Sequence, residues 1–209
     1  MRTPLQGPCI TRVLLGSLLV LCVSVLPPNA GMAGTAQSQD VPEPAIRLLE
    51  PEPRGGEAYE LVYHVPVPEN IYWRFKTDFD NSFLTDSELI EEHRFLRRTR
   101  NVVITEEKYA FDPDTIYRWQ TILYPEEQRL EFTLLNPEEC GQKFHYGSIR
   151  IEAKGRTTKV TQTAYFDFFG ASLWVRYPWS GGMRDILRTT AEWEQNAVDR
   201  IRNRYAETP

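Results

Sequence analysis

The chain has 209 residues, a formal net charge of −5 at neutral pH, 41% hydrophobic side chains and 12% aromatic ones. That length accommodates one domain with a sizeable core, and the acidic balance excludes a surface built for nucleic-acid phosphates. Three cysteines and three histidines, none beside a second ligand at helical or loop spacing, form no zinc or iron motif.

Arg2 and Arg12 precede an uncharged apolar run over 13–26, which ends in Pro27-Pro28 and small residues through Ala36. A basic start, an apolar core of about 14 residues and a small-residue exit describe a secretory signal peptide. Residues 1–33 are therefore expected to be cleaved off, near Ala30, Ala33 or Ala36. A membrane span needs about 20 apolar residues, and Pro27 stops this run short. Two of the 24 Lys and Arg and none of the 29 Asp and Glu precede Val13, so cleavage leaves 22 against 29, a formal charge of −7. Cys9 and Cys22 depart with the leader, and Cys140 remains without a partner for an internal disulfide. The expected location is periplasmic or secreted.

Residues 34–57 contain Pro42, Pro44, Pro51 and Pro53 without an apolar period, and this composition predicts a disordered linker. Within it only Ile46, Leu48 and Leu49 offer something to dock, as a short turn. The folded domain is expected over 58–206. Tyr59, Leu61, Tyr63, Val65 and Val67 alternate with Glu60, Val62 and His64, a strand pattern. Pro68-Glu69 then suits a first helical turn, where proline costs no hydrogen bond and an acid meets the helix dipole. Ile71, Tyr72, Phe75 and Phe79 follow at helical spacing, carrying a helix to Asp80-Asn81, with a second short turn or helix between Phe83 and Ser87. Six strands follow, at 89–98, 102–111, 115–124, 128–135, 144–154 and 157–169, joined by short links that make neighbours antiparallel. Gly155-Arg156 is a two-residue hairpin turn.

The last element is the longest. At about 100° per residue, residues 181–205 place Met183, Ile186, Leu187, Thr190, Ala191, Glu194, Ala197, Val198, Ile201 and Tyr205 on one side. Asp185, Arg188, Glu192, Gln195, Asn196, Asp199 and Asn203 take the other, which makes an amphipathic helix with a wide apolar stripe. Gly181 and Gly182 let the chain turn into it. A curved antiparallel sheet closed over this helix is the simplest architecture.

The segment Val65-Pro66-Val67-Pro68-Glu69-Asn70-Ile71-Tyr72-Trp73-Arg74-Phe75-Lys76-Thr77-Asp78-Phe79 is similar to the Pro-x-Glu-x-Val-Trp/Tyr opening, followed by Asp-Phe/Tyr, of the helix-grip superfamily. That superfamily, also called SRPBCC, includes START lipid-transfer domains, pollen-allergen-type proteins and polyketide cyclase-like proteins, and the resemblance covers 59–205. It implies an α+β fold: a seven-stranded curved antiparallel sheet around a long C-terminal helix, with a short helix pair after strand 1. It also implies a cavity under the helix for a hydrophobic small molecule or lipid. The domain is expected to be a monomer that could make transient membrane contact. It carries no shared catalytic motif and no cofactor, and fold alone does not give function.

Candidate ligand contacts are Glu194, Thr190, Leu187 and Met183 on the helix stripe, and Gln162, Phe166, Trp119, Tyr109 and His93 on the strands. The aromatic load suits either a flat or lipidic ligand or an ordinary core. Trp174, Tyr177 and Trp179, just before the helix, could gate the cavity, dip into a membrane surface or form a packing corner. His93, Glu107 and Gln162 stand on otherwise apolar strands, where a polar group wants a partner. Arg94, Arg97, Arg98 and Arg100 read as a solvated hairpin edge. Glu194 lies mid-stripe, where a carboxylate is expensive unless paired: it is either anchored to an arginine, tyrosine or histidine of the sheet, or it projects into the cavity as a ligand contact, acid or base. A carrier is the first expectation. A cyclase or dehydratase-like enzyme and a filled scaffold for protein partners are the alternatives.

Overall fold

The computed structural model describes residues 41–206 apart from 82, 83, 86, 88 and 171–180. The expected leader, the first part of the expected linker, Phe83, Trp174, Tyr177 and Trp179 lie outside the described residues. In chain order the elements are β1 (Ala45–Leu49), β2 (Glu57–Val65), α1 (Glu69–Thr77), β3 (Ile90–Thr99), β4 (Val102–Tyr109), β5 (Asp112–Tyr124), β6 (Arg129–Leu134), β7 (Gln142–Lys154), β8 (Thr157–Phe168), α2 (Gly182–Asn196) and α3 (Val198–Tyr205).

Eight strands form one curved antiparallel sheet in the order β1-β2-β8-β7-β6-β5-β4-β3. The meander from β3 to β8 matches the six expected strands, and β2 closes onto the last of them, Tyr59 opposite Ala164 and Tyr63 opposite Val160. The expected seven strands become eight because residues 45–49, assigned by composition to a disordered linker, are an edge strand paired with β2 from Ala45 opposite Val62 to Leu49 opposite Ala58. An edge strand needs a partner on one side only, and Ile46 packs on the core while Leu48 faces solvent. The prolines at 44 and 51 bound the strand rather than abolish it, since proline cannot donate to a ladder.

Alternation along each strand sorts the sheet into two faces. The concave face carries Leu61, Tyr63, Val65, Tyr117, Trp119, Leu134, Ile151, Val160, Ala164 and Phe166, all buried and joined to Met183, Ile186, Leu187, Ala191, Ala197 and Ile201 of the C-terminal helices. Phe132, Gly147 and Ala164 stand opposite one another on β6, β7 and β8. A Cβ at Gly147 would lie 2.0 Å from the Thr163 carbonyl oxygen and 2.6 Å from the Phe132 ring, so only glycine lets that ring settle into the sheet.

Pro68 precedes α1, its carbonyl accepting from the amides of Ile71 and Tyr72 at 3.1 and 3.0 Å. The helix ends at Thr77, short of the expected Asp80-Asn81, because Asp78 leaves helical geometry with ψ 80°. Its carboxylate accepts from the Tyr205 hydroxyl at 2.8 Å, which ties the end of α1 to the end of α3. A turn follows, the amide of Leu84 bonding Asn81 and that of Ser87 bonding Leu84. The expected single helix over 181–205 begins at Gly182, whose φ of 57° is left-handed and suits glycine. It divides at Ala197, where ψ is 5°. The Ala197 amide still bonds Trp193 and its carbonyl still accepts from Ile201, both at 2.9 Å, so the apolar stripe continues from α2 into α3.

Candidate functional site

Between the concave face and the helices α1 and α2 lies a cavity of about 270 Å³. Its floor is Trp119, Leu130, Phe132, His145, Ile149 and Gln162 of the sheet; its roof is Met183, Ile186, Leu187, Thr190, Trp193 and Glu194 of α2; and Phe75, Lys76, Asp78 and Phe79 close it on the side of α1. His93, Thr105, Glu107 and Tyr109 line the remaining wall. Trp119 packs edge-on against both His145 and Phe132, with ring centroids 4.9 and 5.8 Å apart.

Polar groups gather at two places. At the first, Glu194 is 2% exposed. Its Oε2 accepts from the hydroxyls of Tyr63, at 2.6 Å, and Tyr72. Its Oε1 accepts from Lys76 Nζ at 2.8 Å. Tyr72 and Lys76 are four apart on α1 and so share a face, while Tyr63 belongs to the concave period of β2. Burial, and after it the Glu194 charge, holds both phenols well above the ordinary tyrosine range, so each keeps its proton as a donor to the carboxylate. The buried charge thus has a counter-ion and three donors, the condition for such a group to be tolerated.

At the second, His93 Nε2 lies 2.8 Å from the Phe79 carbonyl and Nδ1 3.4 Å from Glu107 Oε1, an ion-pair contact rather than an aligned hydrogen bond. Glu107 Oε2 accepts from the Tyr109 hydroxyl at 2.8 Å. Burial lowers the basicity of His93, but the carboxylate of Glu107 and the Phe79 carbonyl outweigh it, and the imidazole is raised above its usual value. His145 has the opposite fate, since burial pushes it down to about 3. It is a neutral wall group at physiological pH. Among the described residues no three His, Cys, Asp or Glu side chains cluster to hold a metal, and no helix is long and apolar enough to cross a membrane.

Eight of the nine candidate contacts, Glu194, Thr190, Leu187, Met183, Gln162, Trp119, Tyr109 and His93, line this one cavity. Phe166 does not. It is buried in the core, stacked on Tyr59 at 5.8 Å and tilted against Phe168 and His145, so its ring surface is already taken by protein. Glu194 combines the two expected arrangements, being anchored by tyrosines and facing the cavity at once. Its lysine partner comes from α1 rather than from the sheet. Lys76 and Tyr72 were legible only as a helical i, i+4 pair beside Phe75, and nothing local in the sequence joins them to position 194.

A sheet that grips a C-terminal helix over a cavity gives the chain a START-like helix-grip fold. No family model and no curated protein matches the sequence, whereas solved structures match the fold. A START superfamily protein from Mycobacterium smegmatis is similar with a TM-score of 0.54 at 12% identity, over 70% of this chain and 99% of that one. Norcoclaurine synthase from Thalictrum flavum, as a point mutant with a transition-state analogue, is similar with a TM-score of 0.51 at 11% identity, over 76% and 97%. The protein XoxI from Bacillus cereus gives 0.51 at 13% identity, over 68% and 94%. At these identities the likeness is one of fold.

Proposed function

We propose that the protein binds and carries a hydrophobic small molecule in the cavity beneath α2. The observation that carries this reading is the cavity itself, about 270 Å³ of space walled largely by Phe, Leu, Ile, Met and Trp side chains within an otherwise packed core. Protein interiors are close-packed, so a space of this size beneath α2 is a departure from ordinary core packing. A concave space of this size, mostly apolar with a few convergent polar groups, is the form that small-molecule sites take, which counts against a filled scaffold. The pattern of residues 1–33 supports action outside the cytoplasm, on a chain that starts after Ala30 to Ala36.

The test is native mass spectrometry of the protein purified from exported material, followed by solvent extraction. A hydrophobic small molecule released in stoichiometric amount is the expected result. An apo protein that also ignores a panel of hydrophobic probes would sink the carrier reading. A mature chain that still begins at Met1 would sink the export.

A second reading is favoured by one observation: His93 with Glu107 and Lys76 with Glu194 face the same cavity. An acid and a base flanking a bound carbonyl compound are what enolisation needs. Exchange of the α-hydrogens of a bound ketone for deuterium, lost in His93→Gln, would select this cyclase or dehydratase-like reading over simple carriage.

A further inference from the structure

The hydrogen-bond inventory of the cavity points to the polar end of its occupant, an inference that rests on the cavity reading above and deepens it. Three carboxylates line the space, and each already accepts from protein donors. Glu194 takes Tyr63, Tyr72 and Lys76. Glu107 takes Tyr109 and faces His93. Asp78 takes the Tyr205 hydroxyl and stands 3.8 Å from Arg204.

Lys76 is the exception. An ammonium has three N–H donors and no acceptor capacity, and only one of them is directed to a described acceptor, Glu194 Oε1. Its side chain is 16% exposed and lines the cavity, so up to two donors remain for a ligand. His93 faces protein acceptors on both sides, the Phe79 carbonyl at 2.8 Å and Glu107 Oε1 at 3.4 Å. A ligand bringing a further cation would meet Lys76 as a like charge. A ligand bringing an acceptor would complete the ammonium.

Size narrows the choice. At about 270 Å³ the space stands just below the usual range of small-molecule pockets, about 300–1,000 Å³. We infer that the occupant is a compact, largely apolar molecule, one or two rings or a short chain, whose single polar end is a carboxylate or ketone oxygen received by Lys76.

Isothermal calorimetry of the purified protein at pH 7 tests this with four probes sharing one apolar body: 2-naphthoate, 2-acetylnaphthalene, naphthalene and 2-naphthylmethylammonium. At least one acceptor-headed probe should bind tenfold or more tighter than the ammonium probe, and tighter than naphthalene. The ranking is read on the unmodified protein and depends on no variant. The paired substitution Lys76→Met with Glu194→Gln, chosen so that no carboxylate is left without its counter-ion, should abolish the preference. Equal affinities, or an ammonium probe that leads, overturn the acceptor assignment while leaving the cavity reading standing. Failure of all four probes to bind overturns both.

Discussion

The Tyr63 hydroxyl donates to Glu194 Oε2 at 2.6 Å, joining β2 to α2 across 131 positions of the chain. Together with Lys76 and Tyr72 it makes a buried polar lock between β2, α1 and α2. Removing one partner of a buried ion pair costs about 3–5 kcal/mol because the other charge is stranded, whereas a hydrogen bond to a charged group is worth about 1.5–3 kcal/mol. Glu194→Ala should therefore lower the urea midpoint more than Tyr63→Phe, which leaves the Lys76 pair intact. Equal midpoints for the two variants and the parent protein would show that the lock contributes nothing to stability.

The C-terminal stripe is the second point of dependence. Ile201 is fully buried and Leu187 is 4% exposed, both against the concave face. A carboxylate introduced at either position would be unpaired, a cost of several kcal/mol against a total stability of roughly 5–15 kcal/mol. Ile201→Asp and Leu187→Asp are expected to lose cooperative thermal unfolding. A cooperative melt for Leu187→Asp within a few degrees of the parent would place that position in water.

Two histidines give stability opposite pH dependences. His145 is driven down to about 3 by burial, against about 6.5 unfolded, so the unfolded chain binds the proton first. Its contribution is complete above about 6.5 and is lost as pH falls toward 3, on the order of 5 kcal/mol in all at about 1.4 kcal/mol per unit. His145→Phe, which keeps a ring against Trp119 and Phe132, should resist acid better than the parent between pH 6 and pH 4. His93 is raised. Its contribution is complete below about 6.5 and is lost as pH rises through the folded value. His93→Gln should accordingly cost more stability at pH 6 than at pH 9, and a pH-independent cost would mean that its charge is not coupled to folding.

Cys140 is 4% exposed, and burial, with Glu139 and Asp112 adding to it, pushes its thiol up to about 12. Thiolate is the reactive form. The folded protein should resist a maleimide at pH 7 and react fully after addition of denaturant. Melting temperatures measured with and without reductant should coincide, for the parent and for Cys140→Ser alike. Rapid labelling of the native protein would mean that the loop carrying Cys140 opens.

Much of the fold was legible because it is local and periodic. The alternation in β2 and in each strand of the meander, the proline before α1 and the apolar stripe over 181–205 each reside in fewer than about 30 consecutive residues, and packing selects faces by those periods. β1 escaped because its five residues between prolines bring only Ile46 against the core, too little to register against the composition around them. The break at Ala197 left no trace either, as alanine is the best of helix formers.

The candidate site divides along the same line. From sequence alone Glu194 was identifiable as a carboxylate in an apolar stripe that needed a partner, and His93 and Gln162 as polar groups on apolar strands, because an amphipathic period exposes its own exceptions. Only the tertiary structure decided that Tyr63, Tyr72 and Lys76 are those partners, that Phe166 belongs to the core rather than to the cavity, and that His93 meets Glu107 while His145 stays neutral. Such pairings depend on the order in which strands join and on the angle at which α2 crosses them. They bring together positions as far apart as 131 residues, and no pattern confined to neighbouring residues records that distance.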